Sequence, residues 1–385
     1  MKKVLFLIHS LGHGGAEKVL VNLVNNMDKT KFDVTVQTLI DSGVNKKYLS
    51  PDVRYLPGIR EFKGNSKIIG AISPTVLYKF YVREKYDIVV SYLEGTSSRV
   101  LSGCMDPQVK KVAWVHIEFD DKRKYTRFFK SEKEVTAFYS NLNKVVCVSD
   151  SVRTSLEYCA NKHFSNAMVL YNTVESDKVL RLAGEPIEDV HFDEDELKIC
   201  SVGKITGTKG FDRLARIQKR LLSEKIRSHI YILGVGEDQG KITDYLKKNN
   251  LLETYTFLGY RENPYKYVAA CDLYVCASHR EGFSTAVTEA LIVGTPVVST
   301  CCSGAYELLG KNNEYGIVTD NSEEGIYRGI KEIIVSRERL LSYKKMAQQR
   351  GTLFSKEKTT KADIPPPSSS PGTPIRSLRN QVFSI

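Results

Sequence analysis

Short apolar runs alternate with amphipathic helical runs twice over in this chain, and that alternation predicts two parallel, helix-covered sheets. The first series reads as strands Val4–His9, Phe32–Ile40, Val53–Leu56, Asp87–Leu93, Lys110–His116 and Lys144–Asp150. Its helices are Ala16–Met27, with Val19, Leu20, Leu23, Val24 and Met27 on one face, a stretch near Ile68–Glu84, and Ser151–Cys159. The second series begins afresh with strand Leu197–Val202, helix Phe211–Leu222, strand His229–Gly234, helix Asp238–Asn249 and strand Thr256–Gly259. Strands Asp272–Cys276, Pro296–Thr300 and Gly316–Thr319 follow, then a helical region over 323–354. At 385 residues the chain has room for two ordinary domains, expected at 1–175 and 197–361. Between them, 176–196 reads as a linker from Gly184, Pro186 and the acidic run Asp193 to Glu196. The tail 362–385 carries Pro365–Pro367, three serines and Pro371-Gly372; it is expected to be disordered, foreign to the body, and dispensable beyond Lys361.

In such sheets ligands bind outside the carboxyl ends of the strands. One stretch stands out there: strand 272–276 runs into Glu281, a Gly282-Phe283-Ser284 turn follows, and an apolar helix carries Glu289, eight positions after Glu281. Ser284 reads as an N-cap, and backbone amides at a helix start suit an anion or sugar oxygen. Two carboxylates beside that cradle suit a polyhydroxylated, phosphorylated ligand; two surface glutamates on an ordinary strand–loop–helix satisfy the same spacing. The loop Gly203-Lys204…Lys209-Gly210 places two lysines where they could grip a diphosphate, and it lacks the ending of a Walker A loop. Gly12–Glu17 has Glu17 where a dinucleotide fingerprint demands glycine, so Gly14 and Gly15 allow either close ligand approach or a plain tight turn. His116 falls at a strand tip, as a structural residue or a functional one.

Composition narrows the partners. Hydrophobic residues at 42% and charged residues at 26% describe a soluble globular chain, and no apolar run reaches membrane-spanning length. A net charge of +11 favours acidic surfaces, membrane headgroups or phosphorylated substrates. None of the eight cysteines forms a C-x-x-C pair and no histidine set for zinc lies near, the usage of a reducing, cytoplasmic compartment. Asp193–Asp195 is formally D-x-D but reads as solvated charge, so no metal is expected. Lys122, Arg123, Lys124, Arg127 and Lys130, interleaved with Phe128 and Phe129, fit peripheral contact with an anionic membrane or a solvated helix face equally. A basic nucleic-acid binder rests on net charge only, without a recognition helix, zinc site or RNP-like aromatic motif.

These motifs together resemble the retaining, nucleotide-sugar-dependent glycosyltransferases of family 4, of the kind used in bacterial surface polysaccharide assembly. The residues that carry the resemblance are Glu281 and Glu289, Gly14 to Glu17, His116, the loop 203–210, and Tyr171 to Glu175. It implies an α/β chain of GT-B architecture, with two Rossmann-like domains facing across a cleft. By the same resemblance, Glu289 holds the donor ribose, and Glu281 with Gly282, Phe283 and Ser284 holds the transferred sugar. Lys204 and Lys209 neutralise the departing diphosphate without a metal or other cofactor. His116 contacts the donor sugar, Gly15 lets the first loop approach phosphates and acceptor, and Tyr260 and Arg261 lie where the base is read. The implied donor is a UDP-sugar carrying a hexose or N-acetylhexosamine. The implied acceptor is a glycan or polyprenyl-diphosphate-linked saccharide at the inner face of the plasma membrane, and a UDP-sugar epimerase is the alternative. Two departures stand out: Lys204 where the family often has arginine, and a closing helix that runs into the Pro/Ser tail.

Overall fold

A computed structural model describes residues 1–12, 14–61, 69–354 and 382. The chain divides into two compact units, the first built on Met1–Thr173 and the second beginning at Val174.

The first unit holds a seven-stranded parallel sheet: β1 Lys2–Ile8, β2 Phe32–Thr38, β3 Arg54–Leu56, β4 Ile88–Tyr92, β5 Lys110–Val115, β6 Lys144–Cys147 and β7 Ala167–Val169, in the order 3-2-1-4-5-6-7. β1 pairs in parallel with β2 and β4, so consecutive residues Val4–Ile8 are all fully buried. Such continuous burial is what helices on both faces of a parallel sheet impose, and each buried Val, Leu or Ile contributes about 1.5–3 kcal/mol. The second unit holds a six-stranded parallel sheet: β8 Leu197–Val202, β9 Ser228–Leu233, β10 Tyr255–Gly259, β11 Leu273–Cys276, β12 Val297–Thr300 and β13 Ile317–Thr319, in the order 10-9-8-11-12-13. Its core packs Ile199, Ile230 and Val275 of the sheet against Leu214 and Ile217 of helix Phe211–Ser223 and Ile326 and Ile330 of helix Glu323–Ile334. In both sheets the strand order reverses beside the first strand of the unit, between β1 and β4 and between β8 and β11. Those reversals open the crevices where α/β sheets take ligands.

The stretch 176–196 is not bare linker. Ser176–Ala183 is a helix that buries Val179 and packs against helices Tyr265–Ala270 and Thr285–Ile292 of the second unit. The Gly, Pro and acidic cues that suggested a linker begin only after this helix. The helix expected near 68–84 is broken among the described residues: 69–71 are helical, the chain bends at 72–73, and Pro74–Tyr81 forms a helix started by Pro74 at its first position. The expected tail at 362–385 lies, save residue 382, outside the described residues.

Candidate functional site

In the second unit the crossover between β8 and β11 is where the chemistry gathers. β8 delivers the loop 203–210, whose last turn, Gly207–Lys209, aims Lys209 back past Gly203. β11 delivers residues 277–284. The two meet: Lys209 Nζ lies 2.5 Å from Glu281 Oε1, and Ser278 Oγ donates to the same oxygen at 2.6 Å. Burial works against the Lys209 ammonium, yet the Glu281 carboxylate outweighs it and the Lys209 pKa is raised. The loops also touch through backbone, His279 N–H donating to Thr208 O at 2.8 Å. Gly210 sits at φ +66°, and a Cβ there would lie 2.2 Å from Ala277 O, so only glycine lets the loops approach this closely.

Further side chains fix the carboxylate loop. Thr300 Oγ1 donates to Ser278 O at 2.6 Å, tying the loop to the end of β12. Arg213 reaches His279 Nδ1 at 2.6 Å and Asn321 Oδ1 at 2.7 Å, and Asn321 Nδ2 donates to His279 O at 2.8 Å. Burial and the Arg213 guanidinium lower the His279 pKa, so Nδ1 of the neutral ring can accept from Arg213. Ser284 caps helix Thr285–Ile292 by accepting from Val287 N–H at 3.3 Å, the expected N-cap. One turn inside, Glu289 Oε1 accepts from Tyr265 OH at 3.2 Å. The carboxylate pair thus stands beside a helix N-terminus whose dipole favours negative charge. Ser278, Tyr265, Arg213, His279 and Asn321 escaped the sequence reading; only the position of Ser278, two residues past a strand end, carried a local signal.

In the first unit the crossover between β1 and β4 has a different make-up. His9 Nδ1 lies 3.0 Å from Thr96 Oγ1, joining the loops after the two strands. Leu93 stands at φ +80°, a conformation that costs a residue with a side chain, and Gly95 at φ +106°. A Cβ on Gly95 would press on the Phe128 ring at 3.0 Å. Glu94 Oε2 accepts from His116 N–H at 2.8 Å, and the His116 ring lies 4.6 Å from that of Tyr92. His116 Nε2 is buried without a hydrogen-bond partner among the described residues. Burial pushes the His116 pKa down to about 3, so the ring is neutral at pH 7. Gly15 opens helix Gly15–Asn25 directly after the first loop.

Two family profiles match the chain: Glycosyltransferase Family 4 over residues 13–178 and Glycosyl transferases group 1 over residues 185–350. The chain is 26% identical to the N-acetylgalactosamine-N,N'-diacetylbacillosaminyl-diphospho-undecaprenol 4-alpha-N-acetylgalactosaminyltransferase of Campylobacter jejuni, over 93% of this chain and 97% of that protein. It is 27% identical to a lipopolysaccharide core biosynthesis glycosyltransferase of Rhizobium meliloti, over 35% of this chain and 39% of the relative. Among solved structures, Anabaena HepE in complex with UDP matches 94% of this chain and 98% of its own at TM-score 0.72 and 16% identity, a likeness of fold. The chain belongs to the GT-B glycosyltransferases. Both halves of the chain match glycosyltransferase family models, and the two named relatives act in glycan synthesis.

Not every residue singled out from sequence gathers at these crossovers. In the glycosyltransferase Lys204 is exposed, and it has no ion-pair partner among the described residues. Tyr260 is exposed at the end of β10, whereas Arg261 turns to Asp189, Nη2 to Oδ2 at 2.9 Å, with its guanidinium over the Tyr267 ring. The basic stretch 122–130 is largely engaged. Lys122 pairs with Glu132 at 2.8 Å, Lys124 pairs with Asp120, Phe128 leans on Gly95, and Phe129 packs 5.4 Å from Phe138. Arg123, Arg127 and Lys130 are exposed. No helix among the described residues is long and apolar enough to cross a membrane.

Proposed function

We propose that this glycosyltransferase moves a hexose or N-acetylhexosamine from a UDP-sugar to a lipid-linked saccharide, with retention of anomeric configuration and without a metal ion. The observation that carries the reading is the Lys209–Glu281 pair, held by Ser278 at the β8/β11 crossover beside the N-terminus of helix Thr285–Ile292. A nucleoside diphosphate gains negative charge as it leaves. Lys209, Lys204 and the helix N-terminus meet that charge as it develops, and this is electrostatic stabilisation of the transition state. Glu281 orders a hydroxyl of the transferred sugar, with Gly282, Phe283 and Ser284 around it. Glu289, steadied by Tyr265, accepts from the ribose hydroxyls. Tyr260, exposed beside the hydrogen bond from Gly234 N–H to Gly259 O, offers its ring to the base, with Arg261 behind it. The neutral His116, whose Nε2 has no hydrogen-bond partner among the described residues, reads a donor-sugar hydroxyl, while Gly15 admits the phosphates and acceptor. The lipid-linked acceptor is supported by the activity of the Campylobacter relative and by the basic balance of the chain, and it calls for peripheral contact with an anionic membrane.

A thermal-shift screen against UDP-, GDP-, ADP- and dTDP-sugars, with Glu289→Ala alongside, tests the donor. Stabilisation by UDP-sugars alone, lost in the variant, is expected. Product analysis by NMR then reads the anomeric configuration, and an EDTA wash is expected to leave the rate unchanged. No response of folded protein to any nucleotide sugar would overturn the reading. A new sugar nucleotide formed from donor alone would convert it to an epimerase.

A further inference from the structure

All eight cysteines are free thiols, and two of them meet at the edge where Glu281 and Lys209 stand. Cys276 is the last residue of β11, and Cys302 comes two residues after β12, the neighbouring parallel strand. The chain turns tightly there, Cys302 N–H donating to Thr300 O at 2.7 Å, while Thr300 Oγ1 holds Ser278 O. That turn brings Cys302 to the end of β11, where its thiol donates to the Cys276 sulfur. From there the contacts run into the candidate site: Cys276 Sγ lies 3.6 Å from Ser278 Oγ, and Ser278 donates to Glu281 at 2.6 Å.

The two thiols are unequal. The hydrogen bond from Cys302, helped by the Lys209 ammonium and Ser278, outweighs burial and Glu281 and brings the Cys276 thiol down to about 7. Donation to Cys276 and burial push the Cys302 thiol up, so it keeps its proton. One sulfur is therefore a nucleophile near neutral pH, beside a second that can resolve it. Cys200 and Cys271 on the same sheet also touch, but burial, Cys271 and Asp272 all push the Cys200 thiol up, which leaves that pair inert. Cys302 is 8% exposed and Cys276 3%, so an oxidant that reaches them must be small.

We propose that Cys276 and Cys302 are a modification site: hydrogen peroxide closes them into a disulfide, and the closure loosens the hold of Ser278 on Glu281. The Cys276 thiolate attacks one peroxide oxygen, the O–O bond breaks, and the departing hydroxide takes up the thiol's proton as water. The sulfenic acid left on Cys276 is attacked by Cys302; the S–O bond breaks, and its hydroxyl leaves with the Cys302 proton as a second water. Two thiols have lost two electrons, and one peroxide has gained them. A disulfide spans about 2.05 Å, far less than a hydrogen bond between sulfurs, so the end of β11 is drawn towards the turn after β12 and away from Ser278. The effect on turnover rests on the transferase reading; the cross-link and the loosening do not.

The full chain is treated with a few equivalents of hydrogen peroxide and mapped by mass spectrometry without reductant. A 276–302 cross-link is expected, with Cys200 and Cys271 still reduced, and dithiothreitol should remove it. Amide hydrogen exchange over 277–284 is expected to speed up about tenfold on oxidation and to recover with dithiothreitol. Turnover with the matching UDP-sugar should fall about three- to tenfold and recover in step. Cys302→Ser is expected to abolish every response to peroxide, and Cys301→Ser, at the exposed neighbour, to keep them. Failure of the reduced protein to turn over any nucleotide sugar would overturn the transferase reading and leave the cross-link and exchange to decide this one. Four results would each overturn the proposal: no cross-link, a cross-link through Cys301 instead, a 276–302 cross-link with unchanged exchange over 277–284, or unchanged turnover of cross-linked protein that is active when reduced.

Discussion

The two units repeat one topology and equip it differently. At the β8/β11 crossover the loops bring a cation and a carboxylate into contact, and a serine-capped helix starts beside them. At the β1/β4 crossover the loops bring together a neutral histidine, a threonine and Glu94 on the His116 backbone, with the strain taken up at Leu93. The first edge can answer a charge that changes during reaction. The second can sort hydroxyl groups. A shared strand order therefore fixes where each unit binds and leaves what it binds to the loops.

Variants can test how far that division holds. The largest effect is expected from Lys209→Ala, which removes the cation at the charged edge: turnover with the matching UDP-sugar should fall about 10²–10³-fold with little change in the acceptor KM. A loss below tenfold would mean the diphosphate is met elsewhere, with Lys204 the next residue to change.

Acid should expose the second edge. His116 is held near pKa 3 when folded, against about 6.5 unfolded. Because the folded value is the lower one, its contribution is whole above pH 6.5 and drains away as pH falls towards 3. Between pH 6 and 4.5 the loss is roughly 2 kcal/mol from this ring. Thermal unfolding of His116→Gln should show that much less acid sensitivity; equal curves would place a water or a carboxylate where it accepts from Nε2–H of the charged ring. His229 in the second unit, lowered to about 4 by burial, remains as an internal reference.

Glu289→Ala should weaken UDP binding about 10- to 100-fold by calorimetry, the worth of hydrogen bonds to a charged group. Smaller still, Ser278→Ala should cost threefold to about tenfold in kcat and leave the donor Kd unchanged, since the hydroxyl only steadies Glu281. A shift in Kd instead would make Ser278 a direct ligand contact.

Much of this could be read from the letters. Strand order could not, but strand existence could, because parallel strands buried on both faces are written as unbroken apolar runs such as Val4–Ile8. Glu281, Glu289 and Lys209 were legible because each sits a fixed step beyond a strand or inside a helix. Asn321 was not: it arrives from beyond β13, and only the folded sheet brings it to His279. The helix Ser176–Ala183 was hidden because Gly184, Pro186 and the acids that follow dominate the local composition. Phe128 and Phe129 misled for a related reason. A sequence shows that aromatics stand among lysines, and Gly95 and Phe138 decide which way they face.

The close approach of Gly210 to Ala277 has a consequence for how such an enzyme can change over generations or under a designer's hand. The loops after β8 and β11 share one backbone seam, so an insertion or a bulkier residue in either must displace the other. Side-chain changes are more accessible at the ends of β9 and β10, where Val235 and Tyr260 are half exposed, although Gly234 and Gly236 press as closely on the backbone of the loop after β8.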